Sequence, residues 1–392
     1  MLIEKAAAKM LDKKILPFWK KLRDNTHGGF FGYVDFDLNV DNTYDKGCIL
    51  NSRILWFFSE SAIYKKDEDL ASYADHAYRF LLSNFIDNEY GGAYWCVKYN
   101  GEVRDSSKHT YNQAFVIYAL SSYYKLRGDE KAKNLAMELY HIIEDKCRDS
   151  LGYIESFSRD WQISENEKLS ENGVMAYRTM NTLLHILEAY TELYAISHSS
   201  KVKQSMIEIL SIFEERIYDK EKAKQLVFFD RDFNSIIDLH SYGHDIESSW
   251  LVDRACEIID DEDLKRRFSL MNSKLAAEVL EEAFVGNSII NECENGKKDY
   301  TKVWWVQAEG VLGFVNEYQK NSSEKFSLAA ALLWNFIEDK IVDPRDDGEW
   351  YWSLDKDNRA TDSKPVVEPW KCPYHNGRMC LEIMRRKPNV QV

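Results

Sequence analysis

Glu89-Tyr90-Gly91-Gly92-Ala93-Tyr94-Trp95 sets two glycines directly before an aromatic alternation, and the chain repeats that arrangement. His27-Gly-Gly-Phe-Phe-Gly-Tyr33 precedes it, Leu151-Gly-Tyr153 follows it, and Asp347-Gly-Glu-Trp-Tyr-Trp352 ends the series; the first three recur about every sixty residues. Glycine suits positive φ and the aromatic alternation suits a short β-hairpin. Each stretch therefore marks a long connection between two helices. Only six prolines occur, and 3.6-residue periodicity fills what lies between. It predicts twelve helices, at roughly 2–22, 47–65, 67–88, 106–127, 130–147, 172–196, 200–217, 243–259, 262–283, 302–320, 323–340 and 371–386. Long connections join the two helices of each pair, and very short ones join pair to pair, as at 64–67 and 127–130. Six units of about sixty-five residues are what a closed ring of helix hairpins requires. The expected fold is an all-α (α/α)6 barrel, one domain over 1–392, with short β-hairpins at one mouth. An open superhelical solenoid is the alternative.

Bulk properties narrow the function. A formal charge of −14, with no basic stripe, argues against nucleic acid or an anionic membrane as partner. Eleven tryptophans and 23 tyrosines suggest a cleft that stacks on flat or sugar-like ligands. Residues 1–20 mix Glu4, Lys5, Lys9 and Asp12 into an amphipathic helix and lack the apolar core of a signal peptide. No apolar run approaches a membrane span. The seven cysteines form no Cys-x-x-Cys pair and read as reduced thiols. The expectation is a cytoplasmic protein.

Polar residues collect near the N-terminal halves of every second helix. These are Asn51 and Arg53; His109, Tyr111, Asn112 and Gln113; Tyr177, Arg178, Asn181 and His185; His244 and Glu247; Trp304, Trp305, Gln307 and Glu309; and Tyr374, His375, Asn376 and Arg378. If those helices form the inner ring, the residues converge on one funnel, the default place for an active site. In Ser241-Tyr-Gly-His244-Asp-Ile-Glu247, the i,i+3 spacing puts Glu247 on the face of His244, where it can fix one tautomer. Plainer readings stand beside these: Arg53 as a buried structural arginine, Asn181 and His185 as a core polar network, the tryptophans as packing. Glu138-Leu-Tyr-His141 is half of a di-iron motif without its second copy, and His240/His244 lack the glutamate of a zinc helix. No metal site and no phosphate-cradling glycine loop is expected.

Three histidines, an arginine and no metal suit proton abstraction beside a carbonyl. Such a carbon acid ionises only if the enediolate is stabilised as charge develops, which the guanidinium of Arg53 can do. Inverting the centre needs a proton carrier on each face, and His244 and His375 come from different helices. The rival is a glycosidase using Glu247 and Glu309, since such enzymes pair carboxylates about 5–9.5 Å apart. A carbohydrate-binding protein without catalysis is a third possibility.

Six segments in order, His27–Tyr33, Lys46–Trp56, Asn181–His185, Ser241–Glu247, Trp304–Glu309 and Trp370–Arg378, resemble the N-acylglucosamine 2-epimerase superfamily, and within it the bacterial cellobiose 2-epimerases. The resemblance spans nearly the whole chain and implies an (α/α)6 barrel. It implies reversible epimerisation at C2 of the reducing-end glucose of β-1,4-linked disaccharides: cellobiose to glucosyl-mannose, lactose to epilactose, and β-1,4-mannobiose. No metal or organic cofactor is implied, and the chain is expected to be a monomer or weak homodimer. His375 and His244 would be the acid/base pair, with Glu247 orienting His244, His185 near the ring oxygens and Arg53 on the enediolate. Asn181 and Tyr111 would bind reducing-end hydroxyls, while Trp305, Trp370 and Glu309 hold the sugars. Mannose aldose–ketose isomerases and N-acetylglucosamine 2-epimerases are the related alternatives.

Overall fold

Two kinds of helix alternate along the chain, and burial separates them. Cys48–Lys65 is buried continuously from Cys48 to Ala62, which only a helix surrounded by others tolerates. The next helix buries one stripe, Leu70, Ala71, Ala74, Ala77 and Tyr78, and leaves its other face to water. The computed structural model describes residues 1–165, 168 and 173–392. Among these, twelve helices alternate in that way: α1 (3–21), α2 (Cys48–Lys65), α3 (68–85), α4 (Thr110–Arg127), α5 (130–147), α6 (Met180–Ser197), α7 (200–217), α8 (Tyr242–Ile259), α9 (Glu262–Glu282), α10 (Trp304–Asn321), α11 (324–341) and α12 (His375–Arg386).

The even-numbered helices pack each on the next, and α12 packs back on α2. That contact closes the ring and removes the open solenoid. The short links between pairs have a local cause. Lys66, Gly128 and Asp260 end inner helices in the left-handed conformation, at φ 53°, 65° and 56°. The aspartate that follows caps the outer helix: Asp67 accepts from the Asp69 and Leu70 amides, and Asp261 from those of Asp263 and Leu264.

Helix ends differ from the sequence-based expectation on the mouth side. Residues 106–109, 173–179 and 371–374 were expected to be helical, yet α4, α6 and α12 begin at Thr110, Met180 and His375; residue 172, the expected start of α6, lies outside the described residues. The residues before most inner helices form two- or three-residue strands instead. Lys46 pairs with Val97, Lys108 with Phe157, Arg178 with Phe229, His240 with Cys293, and Lys302 with Leu354. Val34 pairs with Val367 and completes the circuit. Each loop is thus laddered to the next, a ring of antiparallel pairs where isolated hairpins alone were expected. Five outer helices also contain a π-helical turn, as at Leu81–Phe85 and Ile143–Cys147, which periodicity reads as plain helix.

Inner-helix amides hold the loops to the barrel. Gln113 accepts from Ala93 N at 2.7 Å and donates to Ala93 O at 2.9 Å. Gln307 does the same to Ile289, and Asn51 accepts from Phe30 N. Lys46 Nζ and Lys108 Nζ, both buried, each meet an aspartate and a turn carbonyl: Asp24 with Gly28, and Asp87 with Gly91. Those two glycines sit at φ 85° and 74°, which accounts for the repeating glycine motif.

Inner helices approach closely where glycine permits. A Cβ on Gly313 of α10 would lie 2.4 Å from Ile246 Cγ1 of α8 and 3.0 Å from its carbonyl oxygen. We predict that Gly313→Ala destabilises the protein by ~1–3 kcal/mol, read from denaturant midpoints. An unchanged midpoint would mean that α8 and α10 yield at no cost.

Candidate active site

Because the laddered strands precede the inner helices, the N-terminal ends of all six face the same mouth. There they enclose a cleft of about 380 Å³ lined by Arg53 of α2, Tyr111 of α4, Asn181 and His185 of α6, His244 and Glu247 of α8, Trp304 and Trp305 of α10, and Trp370 and His375 at the start of α12. Nine of the ten residues singled out from sequence therefore meet in one place. Glu309 lies behind that wall.

The wall is built around Arg378, one turn into α12 and 2% exposed. Its Nη2 donates to Glu309 Oε1 at 2.8 Å and to Glu247 Oε1 at 2.5 Å. Its Nη1 donates to Glu188 and to the Tyr374 hydroxyl, which itself donates to Glu188. Three carboxylates thus share one guanidinium. Burial, then the neighbouring charge of Glu309, pushes the Glu247 carboxyl up to about 8. Glu188 goes the other way, to about 2: burial opposes ionisation, but Arg378 and His185 outweigh it.

Three histidines face the cleft, and each has its own partner at Nδ1. His375 Nδ1 lies 2.8 Å from Glu309 Oε1, and Glu309 also accepts from Trp250 Nε1 at 2.9 Å. His185 Nδ1 lies 2.9 Å from Glu188 Oε2, and His244 Nδ1 lies 2.7 Å from Ser241 Oγ. Holding Nδ1 leaves Nε2 as the working nitrogen. Burial, reinforced by Arg378 and Arg53, holds His375 well below the usual imidazole range. Burial also lowers His244, to about 3. Both rings are therefore neutral at rest. They pack against the same indole, with Trp305 at 4.9 Å from His244 and 5.4 Å from His375 between ring centroids. Gly243 makes room for that indole; a Cβ there would sit 2.5 Å from Trp305 Cη2.

Arg53 donates through Nη2 to the Tyr111 hydroxyl at 2.7 Å, and its guanidinium lies 4.1 Å from the Phe115 ring centroid and 4.5 Å from that of Tyr374. Burial disfavours its charge, but Tyr111 and Cys372 more than restore it. A permanent cation is therefore fixed at the cleft wall. Asn181 Oδ1 has no hydrogen-bond partner among the described residues, and its residue lines the cleft.

Two sequence-based assignments change. Glu247 was expected to orient His244; Arg378 takes that carboxylate, and Ser241 holds the histidine. Glu309 was expected to hold sugar; His375, Arg378 and Trp250 occupy its oxygens, so it acts through His375. Glu188 and Ser241 were missed as histidine partners, although His185 and Glu188 show the i,i+3 spacing noted for His244 and Glu247. Trp352 and Asn291 also line the cleft. Asn51, Gln113 and Gln307, expected in the funnel, instead grip loop backbone. His240 pairs with Asp245 at 2.7 Å, away from any zinc arrangement with His244, and Glu138 and His141 lie exposed on α5. Ligand atoms of Glu247, Glu309 and His375 do lie within 4.8 Å of one another. Arg378 already supplies the positive charge there, so that donor set does not suit a further cation.

Comparison with known proteins agrees with this geometry. The family described as N-acylglucosamine 2-epimerase (GlcNAc 2-epimerase) matches residues 13–376. The chain is 48% identical to the cellobiose 2-epimerase of Dictyoglomus turgidum over 376 residues, 96% of each chain, and 46% identical to that of Ruminococcus albus over 390 residues, 100% of each. A crystal structure of a sugar epimerase from a ruminal bacterium superposes with a TM-score of 0.98 at 45% identity, covering 100% of both chains. A D-mannose isomerase at 19% identity, 97% of this chain and 98% of its own, shares the fold with a TM-score of 0.85. The match over almost the full length, on a barrel whose mouth gathers three partnered histidines around one arginine, places the chain in the N-acylglucosamine 2-epimerase family.

Proposed function

We propose that the chain is a cellobiose 2-epimerase, inverting C2 of the reducing-end glucose of a β-1,4-linked disaccharide by two-histidine proton transfer. The observation that carries this reading is the pair of neutral imidazoles, His244 and His375, set against one indole with Nδ1 of each held from behind. One Nε2 takes the C2 proton of the open-chain aldose, and the other, protonated, delivers a proton to the opposite face. Arg53 meets the enediolate oxygens as charge develops. Glu309 stabilises the imidazolium that forms on His375, while the hydroxyl of Ser241 offers His244 a neutral partner. Trp305, Trp352 and Trp370 give the two sugar rings apolar faces to stack on. Identities of 46–48% to proteins named for cellobiose support the substrate. Seven free cysteines suit a reducing, cytoplasmic setting. The glycosidase rival lacks room: Glu247 and Glu309 both bond one nitrogen of Arg378, which leaves no space for a glycosidic oxygen and water between them.

Incubation with cellobiose in D₂O tests the reading by NMR. Deuterium at C2 with a manno product is expected; released glucose would mean hydrolysis, and binding without either product a non-catalytic protein. His375→Ala and His244→Ala should each lower kcat by ~10²–10⁴-fold while the fold survives. Retention of activity within about tenfold, ~1.4 kcal/mol in barrier, would refute the two-base assignment.

The raised carboxyl of Glu247 gives a pH signature. Its folded value near 8 exceeds the ordinary 4.5, so the folded state holds a proton that the unfolded state releases. The stability it contributes is fully present below 4.5 and is lost as pH rises to about 8. Glu247→Gln should flatten that part of the stability–pH curve, measured by denaturant midpoints. An equally steep curve in the variant would assign the slope to other groups.

Dialysis against a strong chelator should leave turnover unchanged, since Arg378 and Arg53 carry the positive charge of the site. Loss of activity restored by one divalent ion would overturn the metal-free mechanism.

A further inference from the structure

Two proton carriers suffice at C2, yet the cleft holds a third histidine with a complete support of its own. His185 Nδ1 meets Glu188 at 2.9 Å, and Glu188 is fixed in turn by Arg378 and the Tyr374 hydroxyl. The His185 ring stands edge-on to Tyr111, 5.2 Å between centroids, and 4.9 Å from Phe115. A histidine that merely bonded a sugar hydroxyl would gain nothing from an ionised carboxylate behind it. One that becomes cationic in turnover would.

General sugar chemistry supplies the step. A pyranose has no carbonyl, so its C2–H is not acidic until the ring opens. We infer that His185, positioned by Glu188, is a C1 acid–base centre that opens and recloses the reducing-end ring, giving the protein an anomer-exchange activity separable from C2 epimerisation. His185 Nε2 takes the O1 proton as O1 forms the carbonyl. The C1–O5 bond breaks with its electron pair going to O5, and the imidazolium returns the proton to O5. No net proton or electron is consumed. Closure on the other face of the aldehyde yields the other anomer. The ligand class is any reducing sugar that fits the cleft, including one with nothing to invert at C2. Glu188 is a positioning residue: its carboxylate, a pure acceptor when ionised, fixes the proton on Nδ1 and stabilises the cation.

This inference rests on the proposed C2 chemistry, and one set of measurements separates the two. The probes are a 4-linked disaccharide with a 2-deoxy reducing end, followed by NMR anomer exchange, and cellobiose in D₂O, followed at C2. The wild-type protein should accelerate anomer exchange of the 2-deoxy probe at least tenfold over buffer, and His375→Asn should still accelerate it while losing C2 deuteration. Glu188→Gln and His185→Asn should each lose at least tenfold in anomer exchange. His185→Asn keeps Glu188, Tyr374 and Arg378 in place, so it decides the matter if the Glu188 variant does not fold. A third probe carries a 5-deoxy reducing end, whose 4-linkage and missing 5-hydroxyl deny it five- and six-membered rings. On it Glu188→Gln should deuterate C2 within a few-fold of wild type, which a merely structural role would not allow. C2 deuteration of cellobiose without accelerated anomer exchange overturns the inference and leaves the epimerase reading standing. Anomer exchange without C2 deuteration does the reverse.

Discussion

Arg378 is the group on which the rest of the site depends. Its guanidinium, sealed among Glu188, Glu247 and Glu309, ties together α6, α8, α10 and α12, each of which contributes one charge to the cluster. Three buried carboxylates around one cation would be unstable alone, and the cluster answers by taking up a proton at Glu247. Removing one member of such a buried set typically costs 3–5 kcal/mol, because the others are left without a counter-charge. The same contacts decide which carboxylate reaches which histidine. Glu309 and Glu188 each spend one oxygen on Arg378 or its neighbours and still present one to an imidazole. Electrostatics and catalytic geometry are therefore one arrangement.

The three histidines differ in what stands behind them, and that difference grades their chemistry. A carboxylate accepts only and stabilises a positive ring, so His375 and His185 can gain a proton with support. Ser241 offers a hydroxyl that donates or accepts, so His244 keeps a choice of tautomer but less help in becoming charged. A reversible inversion asks each carrier to act as acid in one direction and base in the other, with a single equilibrium constant linking them. Unequal partners place the proton at rest on one side of the substrate and leave the other side ready to receive one.

How far the sequence was legible follows from the range of each interaction. The twelve helices and the glycine–aromatic turns are local signals, and they survive into the structure with small shifts at helix starts. The convergence of nine chosen residues on one cleft follows from helix order alone, because alternate helices must line a closed ring. The partners of the histidines were harder to read. His185/Glu188 and His244/Glu247 have identical spacing, but only the first pair forms. Glu247 is drawn off by Arg378, some 131 residues away in sequence, and nothing local to α8 announces that competition. Glu309 looked like a sugar ligand for the same reason: its three donors come from α8 and α12. The laddered strands were read as helix because two-residue pairings between loops leave no periodicity to detect.

The ladders joining each loop to the next deserve to be considered as a hoop. Loops are ordinarily the parts of a protein that open independently, each with its own small free energy. Here no loop can lift without breaking backbone pairs with the neighbour on either side, and the pairing from Val34 to Val367 leaves no free end from which peeling can begin. The described mouth loops should behave as a rigid rim, their laddered amides protected together with the barrel and not segment by segment. A rim of that kind admits substrate by fit and end-on entry, and the specificity of the enzyme is written in the width of an aperture that does not need to move.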